Sequence, residues 1–128
     1  GLKTIPHHYA MKQVLAALRK GEGVGILLDQ HGGQKEAIRV DFIGRPAATS
    51  IGLALMALRT GAPVVPMFMV REGDDRFRFK YEEPIYLKKS GDMEKDIRDG
   101  TIIFNKVIED YVRRYPEQWF WVHRRWKE

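Results

Sequence analysis

His31 and Glu36 have the types and spacing of a catalytic His–carboxylate pair. In such a pair the carboxylate orients the imidazole, which removes a proton from an attacking hydroxyl. The two residues stand, however, in a polar stretch that contains Gly32 and Gly33. Two loop residues spaced by chance explain this pattern better than a catalytic pair does. We therefore do not assign His31 as a general base.

His7 and His8 are also candidates for acid–base or metal chemistry. Lys12 and Gln13, not acids, occupy the positions at which a paired carboxylate would follow them. Adjacent residues point to different sides of a helix and make a poor metal pair. The chain has no cysteine. We expect no catalytic residue, metal site or cofactor in this chain.

Asp29 and Gln30 follow the apolar run Val24–Leu28, which has the pattern of a buried parallel strand over residues 24–29. The carboxyl ends of strands are where α/β sheets place ligand-binding groups. Asp29 either contacts a substrate or caps the following turn, and the pattern does not distinguish the two.

Arg45 precedes Pro46 and a helix that we predict from Ala47 to Thr60, with Thr49 in its first turn. Free N–H groups at a helix N-terminus, a hydroxyl and an arginine form a suitable site for a phosphate or carboxylate. Helix capping without a ligand is the equal alternative.

Composition indicates one globular domain over residues 1–128, with 44% hydrophobic and 30% charged residues. Its apolar runs are far shorter than the roughly 20 residues that cross a bilayer. The net charge is +5, and residues 113–128 carry five basic residues against two glutamates. Such a surface suits anionic lipid, an acidic protein or nucleic acid. Nucleic acid is disfavoured because no recognition motif accompanies the charge.

Hydrophobic periodicity and turn residues predict alternating helices and strands, typical of a layered α/β domain. Gly73-Asp74-Asp75 predicts a hairpin turn. The predicted helices cover residues 7–20, 47–60 and 92–115, and the strands 24–29, 63–70 and 77–81, with a possible short strand at 38–42.

Three strings carry a family resemblance: GILLDQHGG, VDFIGRPAATSIGLALMALRTGAPVVPMFMVRE and the C-terminal PEQWFWVHRRWK. Together they resemble the late acyltransferases of bacterial lipid A biosynthesis, in order from about residue 20 to the end. The last string is the most specific, because Trp, His, Arg and Pro are uncommon together. The first two strings are less distinctive on their own.

The resemblance implies an α/β sandwich of the glycerol-phosphate-acyltransferase type, of which this chain is the C-terminal part. It implies transfer of an acyl chain from acyl carrier protein, or from coenzyme A, to a hydroxyl of a lipid A precursor. It also implies work at the cytoplasmic face of the inner membrane. The family's H-x4-D/E pair is expected upstream of residue 1, so the chain is expected to be inactive alone.

Residue by residue, the resemblance assigns the substrate-facing positions to Asp29, Gln30, Arg45, Thr49, Arg71, His123, Arg124 and Arg125. The arginines would hold glucosamine phosphates or the acidic carrier protein. A sheet without its first strands exposes an edge and an apolar face, so we expect self-association. The alternative is a non-catalytic basic-aromatic module that binds anionic lipid or acyl carrier protein.

Overall fold

A computed structural model of the chain describes residues 1–6, 10–33 and 36–127. The described part contains helices and strands in mixed order and a short 3-10 turn at Pro116–Gln118. In chain order they are α1 Ala10–Arg19, β1 Ala37–Phe42, β2 Arg45–Ser50, α2 Gly52–Thr60, β3 Met67–Arg71, β4 Phe77–Tyr81 and α3 Met93–Arg114.

β1 and β2 form an antiparallel hairpin in which Phe42 pairs with Arg45. The two residues between them, Ile43 and Gly44, both have positive φ, at 53° and 74°. Positive φ at both turn positions matches the right-handed twist of the strands. The turn is attached to α3, because the Ile43 N–H donates to Glu109 Oε2 at 3.0 Å. The possible strand at 38–42 is thus confirmed.

β3 and β4 form a second antiparallel hairpin, with Met69 opposite Phe79. The Glu72 N–H donates to the Arg76 carbonyl across the turn, as Gly73-Asp74-Asp75 predicted. The predicted strand at 63–70 starts later, at Met67, and an isolated bridge joins Val64 to Ile85 before it.

α3 is the long helix predicted from its apolar stripe, and it supports both hairpins. Asp92 caps its N-terminus by accepting the Lys95 N–H at 3.1 Å. On one side Val112 packs with Phe42 and Ala47 of the first hairpin. On the other side Tyr111 stacks on Phe68 of the second, with ring centres 3.6 Å apart.

α1 confirms the predicted first helix over Ala10–Arg19, and the predicted residues 7–9, including His7 and His8, lie outside the described residues. Its apolar side packs against Met56 of α2 through Val14 and Leu15. Gly21, with φ of 78°, follows it in the left-handed conformation typical of a helix end.

The prediction of a buried parallel strand at 24–29 is wrong. This segment has no strand pairing, and 93% of Leu27 is exposed. Within the described residues, the backbone of Val24–Leu28 makes no hydrogen bond. A strand needs a neighbour to pair its backbone groups, and an apolar run alone does not supply one.

The prediction of a helix from Ala47 is also wrong at its start. Arg45–Ser50 is strand β2, and α2 begins only at Gly52. Alanine favours helix, but the Ile43–Gly44 turn places this segment beside β1, and pairing outweighs propensity. Arg45 and Thr49 therefore lie on a strand, and the predicted anion site at a helix N-terminus does not exist there.

None of the helices in the described ranges has both the length and the apolar composition needed to cross a bilayer.

Candidate functional site

Three segments far apart in sequence meet at the β1–β2 hairpin. They are the loop Asp29–Gly33, strand β2 and the C-terminal residues His123–Trp126. The Gly32 N–H donates to the Ala48 carbonyl at 3.0 Å. The His31 N–H donates to Nε2 of His123 at 2.8 Å. Each of the three strings singled out in the sequence therefore contributes to one site.

Arg125 occupies the centre of this site and is fully buried. Its guanidinium donates to the Ala48 carbonyl, to Thr49 Oγ1 at 2.8 Å and to Asn105 Oδ1 at 3.3 Å. It also lies over the Phe42 ring, 5.0 Å from the ring centre. Its Nε has no hydrogen-bond partner within the described residues.

Thr49 and Asn105 complete a buried polar network around the guanidinium, and both are almost wholly inaccessible. Asn105 Nδ2 donates to Thr49 Oγ1 at 3.2 Å and to the Asp41 carbonyl at 3.3 Å. Thr49 Oγ1 in turn donates to the Ala47 carbonyl at 3.3 Å. The β1–β2 hairpin is thus connected to α3 through side chains.

Little nearby negative charge compensates the positive charge of Arg125. Burial lowers the pKa of its guanidinium, and the charge of Asp29 partly opposes that effect. No described carboxylate oxygen lies within 4.0 Å of it. Burying a cation among neutral acceptors costs free energy, so its hydrogen bonds must be kept.

His31 and His123 differ in their roles. Because Nε2 of His123 accepts an N–H, its ring proton is on Nδ1. Burial, followed by the charge of Lys127, lowers the pKa of His31 and favours its neutral form. Among the described residues, His31 and Glu36 make no hydrogen bond to each other.

Aromatic rings cover the site on its outer side. Phe42 lies 5.5 Å from the Trp119 ring and 5.9 Å from the Trp126 ring, centre to centre. Trp126 Nε1 donates to the Phe42 carbonyl at 3.1 Å. The guanidinium of Arg45 lies 5.8 Å from the centre of the Trp126 ring. The C-terminal segment is therefore packed on the hairpin.

The structure brings together some of the residues assigned from sequence and separates others. Asp29, Thr49, His123 and Arg125 belong to the site, and Arg45 is at its edge. Gln30 and Arg124 are exposed. Arg71 lies elsewhere, where its backbone N–H and carbonyl bond the Gln118 side chain.

The sequence reading missed Asn105 and Gly32. Asn105 had a usable signal, since it is a polar residue within the apolar stripe of α3, beside Phe104 and Ile108. Gly32 had none. A methyl group added at Gly32 would lie 2.6 Å from the Ser50 backbone nitrogen, so only glycine fits there.

Asp29 also lines an apolar cavity of about 570 Å³ and is the only charged residue among its described lining. The cavity is bordered by the extended segments at 24–28 and 62–66, by β3 and by α3. Its volume is within the range of small-ligand pockets. Its wall at Val24–Leu28, however, carries backbone groups that pair with no other described residue.

Comparison with known proteins gives a consistent result. The family model of the bacterial lipid A biosynthesis acyltransferases matches residues 1–128. The chain is 31% identical over 121 residues to a lipid A biosynthesis palmitoleoyltransferase of Escherichia coli K12, covering 91% of this chain and 37% of that protein.

Two further relatives are similar to the same extent. A lipid A biosynthesis acyltransferase of Haemophilus influenzae is 35% identical over 114 residues, which cover 88% of this chain and 34% of that protein. A lipid A biosynthesis lauroyltransferase of E. coli K12 is 30% identical over 118 residues, which cover 91% and 38%. The chain thus spans little more than a third of the length of these relatives.

Proposed function

Because the chain belongs to the bacterial lipid A biosynthesis acyltransferase family, we propose that it is part of an enzyme that acylates a lipid A precursor. The observation that carries this proposal is the match over residues 1–128. The meeting of all three characteristic strings at Arg125 supports it. The acyl donor would be an acyl carrier protein thioester or acyl-CoA.

In the proposed reaction, a precursor hydroxyl attacks the thioester carbonyl directly. The new C–O bond forms, the C–S bond breaks, and the hydroxyl proton passes through a base to the departing thiolate. His31 is a poor base for this step, because its Nδ1 is buried without a hydrogen-bond partner in the described part of the chain and its lowered pKa disfavours proton uptake. We propose that the base lies outside these 128 residues and that the chain alone is inactive.

We also propose that residues outside this chain complete a layered α/β sandwich of the glycerol-phosphate-acyltransferase type. The cavity beside Val24–Leu28 supports this completion. An alkyl chain cannot satisfy unpaired backbone N–H and carbonyl groups, whereas an added strand can. A strand is therefore a better occupant for that wall than an acyl chain. Without it, copies of the chain would associate through the open surface.

Anionic groups would be held by exposed arginines. Arg45 and Arg124 are accessible and remain candidates for glucosamine phosphates or the acidic carrier protein. Arg125 is not such a candidate, because its guanidinium is buried and inaccessible to solvent. Work at the cytoplasmic face of the inner membrane, with the full-length protein on the membrane surface, is part of this proposal.

A non-catalytic module is the second candidate, and one observation favours it. Phe120, Trp121 and Val122 are exposed on the C-terminal segment beside the basic side chains of Arg124 and Lys127. Aromatic and basic residues together suit the surface of an anionic membrane or carrier protein.

An acyl-transfer assay separates the two candidates. The full-length gene product and residues 1–128 alone are each incubated with acyl carrier protein thioester and a lipid A precursor, and products are identified by mass spectrometry. We expect acylated product from the full-length protein only. Product from residues 1–128 alone would place the base within this chain. No product from either, with retained binding of carrier protein or lipid, would favour the module.

A further inference from the structure

We propose that His123 and Arg125 act as positioning residues, which hold the Asp29–Gly33 loop against β2, and that neither touches a substrate. This inference rests on the proposed function only for its effect on acyl transfer. The holding of the loop is a property of the fold.

The loop depends on the C-terminal segment for its position. Within the described residues, apart from the local bond from the Glu36 N–H to the Gly33 carbonyl, two hydrogen bonds join its backbone to the rest of the protein, from His31 to His123 and from Gly32 to Ala48. His123 accepts the first bond directly. The Ala48 carbonyl accepts both the Gly32 N–H and the Arg125 guanidinium. Both attachments therefore lead to the C-terminal segment.

Arg125 has no surface to offer a substrate. It is 0% exposed, and three of its contacts, to Ala48, Thr49 and Asn105, fix its guanidinium in place. A ligand anion would have to displace Thr49 or Asn105, which are themselves buried. The geometry suits an internal connection between β2, α3 and the C-terminal segment.

This connection affects the position of the Asp29 carboxylate. It begins the held loop, and it is the only charged residue among the described residues that line the apolar cavity. One residue separates it from His31 and two from Gly32. Releasing those two amides would let the Asp29 carboxylate move relative to the cavity. Small misplacements of reacting or orienting groups cost large factors in rate.

Variants of His123 in the full-length protein test this inference. In His123→Gln, the side-chain oxygen can accept the His31 N–H from nearly the position of Nε2. In His123→Leu, the shape is similar and the acceptor is lost. Arg124→Met, an exposed neighbour, is the control for hydrogen exchange alone, because Arg124 is itself a candidate for anion binding. Hydrogen exchange at the His31 and Gly32 amides and the kcat and KM of acyl transfer are measured for each.

We expect exchange at the His31 amide to rise about tenfold or more in His123→Leu, the factor for one lost hydrogen bond. Its kcat should fall by about ten- to a hundredfold with KM within about twofold. His123→Gln should recover most of both properties, and Arg124→Met should leave exchange at both amides unchanged.

Three results would overturn the inference. The first is unchanged exchange at His31 in His123→Leu. The second is a raised KM with normal kcat, which marks a direct substrate contact. The third is failure of His123→Gln to recover either property.

Two further controls keep the outcomes distinct. If His123→Leu does not fold, His123→Asn replaces it, because its shorter side chain stays polar but does not reach the Nε2 position. If the unmodified full-length protein transfers no acyl group, the proposed function fails, while the exchange measurements still decide whether the loop is held.

Discussion

The site beneath β1–β2 and the outer face of β3–β4 show opposite arrangements. Beneath the first hairpin, Arg125, Thr49 and Asn105 are polar and completely enclosed. On the second, one face is apolar and open to solvent; it consists of Met67, Met69, Phe77, Phe79 and Tyr81. Globular proteins usually bury the apolar residues and expose the polar ones.

This reversal shows that residues of this chain cover the first region and that, among the described residues, none cover the second. The C-terminal segment of this chain covers the site beneath β1–β2. The second has no cover among the described residues, in keeping with a chain that spans about a third of its relatives. Large exposed apolar patches mark surfaces that bind a partner.

The strongest test of this contrast compares two phenylalanines. Phe42 is 0% exposed and Phe77 is 51% exposed. We expect Phe42→Ala to lower the free energy of unfolding by about 3–5 kcal/mol, since it removes the ring on which Trp119, Trp126 and Arg125 pack. Phe77→Ala should change it by about 0.5 kcal/mol or less. Urea unfolding measures both, and equal losses would contradict the contrast.

Adjacent glycines in the held loop provide a second test. A Cβ at Gly32 would lie 2.6 Å from the Ser50 nitrogen and 2.9 Å from the Thr49 carbonyl carbon, whereas one at Gly33 meets nothing within 4 Å. Gly32→Ala should therefore cost about 1–3 kcal/mol by overpacking backbone against backbone. Gly33→Ala is the control and should be close to neutral in the same unfolding measurement. A neutral Gly32→Ala would show that loop and strand are not in contact.

The open face should govern association more than stability. In residues 1–128, the double variant Met69→Thr and Phe79→Thr makes the face polar and keeps residue types that suit strands. We expect sedimentation velocity to show association in the original chain and its loss in the variant, with stability changed by about 1 kcal/mol or less. Met93→Thr, on α3, is the control and should associate as before. A monomeric original chain would refute association through this face.

The smallest expected effect is a pH dependence that belongs to the enclosed site. Burial and Lys127 lower the pKa of His31 below its ordinary 6.5. The unfolded chain then binds more protons than the folded one in that window, so stability falls as pH drops through 6.5 toward the folded value. Unfolding at about pH 7.5 and 5.5 should show this decrease, and His31→Gln should make it smaller.

Two carboxylates serve as the reference for that measurement. The pKa values of Glu109 and Asp96 are lowered from 4.5 and 3.8, so their stabilisation is lost only in more acidic solution. If the free energy of unfolding of His31→Gln falls between the two pH values of that measurement as much as that of the original chain, His31 is not the source of the pH dependence.

Much of the fold could be predicted from local patterns. The apolar stripe of α3, bounded by Asp92 and Pro116, defined a helix that the structure has over nearly the same residues. The β3–β4 turn was predicted because glycine and aspartate favour it over any regular element. These signals succeed because they depend on neighbours within a few positions.

The incorrect predictions of secondary structure occurred where a segment distant in sequence determines the local conformation. Arg45–Ser50 became a strand because β1 lies beside it, and residues 24–29 remained unpaired because no described strand lies beside them. For the site, the sequence pointed to Thr49, His123 and Arg125 as ligands of a substrate. The structure encloses Arg125 and Thr49 and joins His123 to the loop, an arrangement that supports the positioning role proposed for His123 and Arg125.

The sequence by itself determined the family of this chain, the long helix and the β3–β4 turn, because residue types at close spacing carry that information. Only the tertiary structure decided that Arg125 is buried, that Asn105 and Gly32 belong to the same site, and that one sheet face is open. Burial and long-range hydrogen bonds depend on which segments pack together, and no local pattern predicts a contact between Ala48 and Arg125, whose sequence separation is 77.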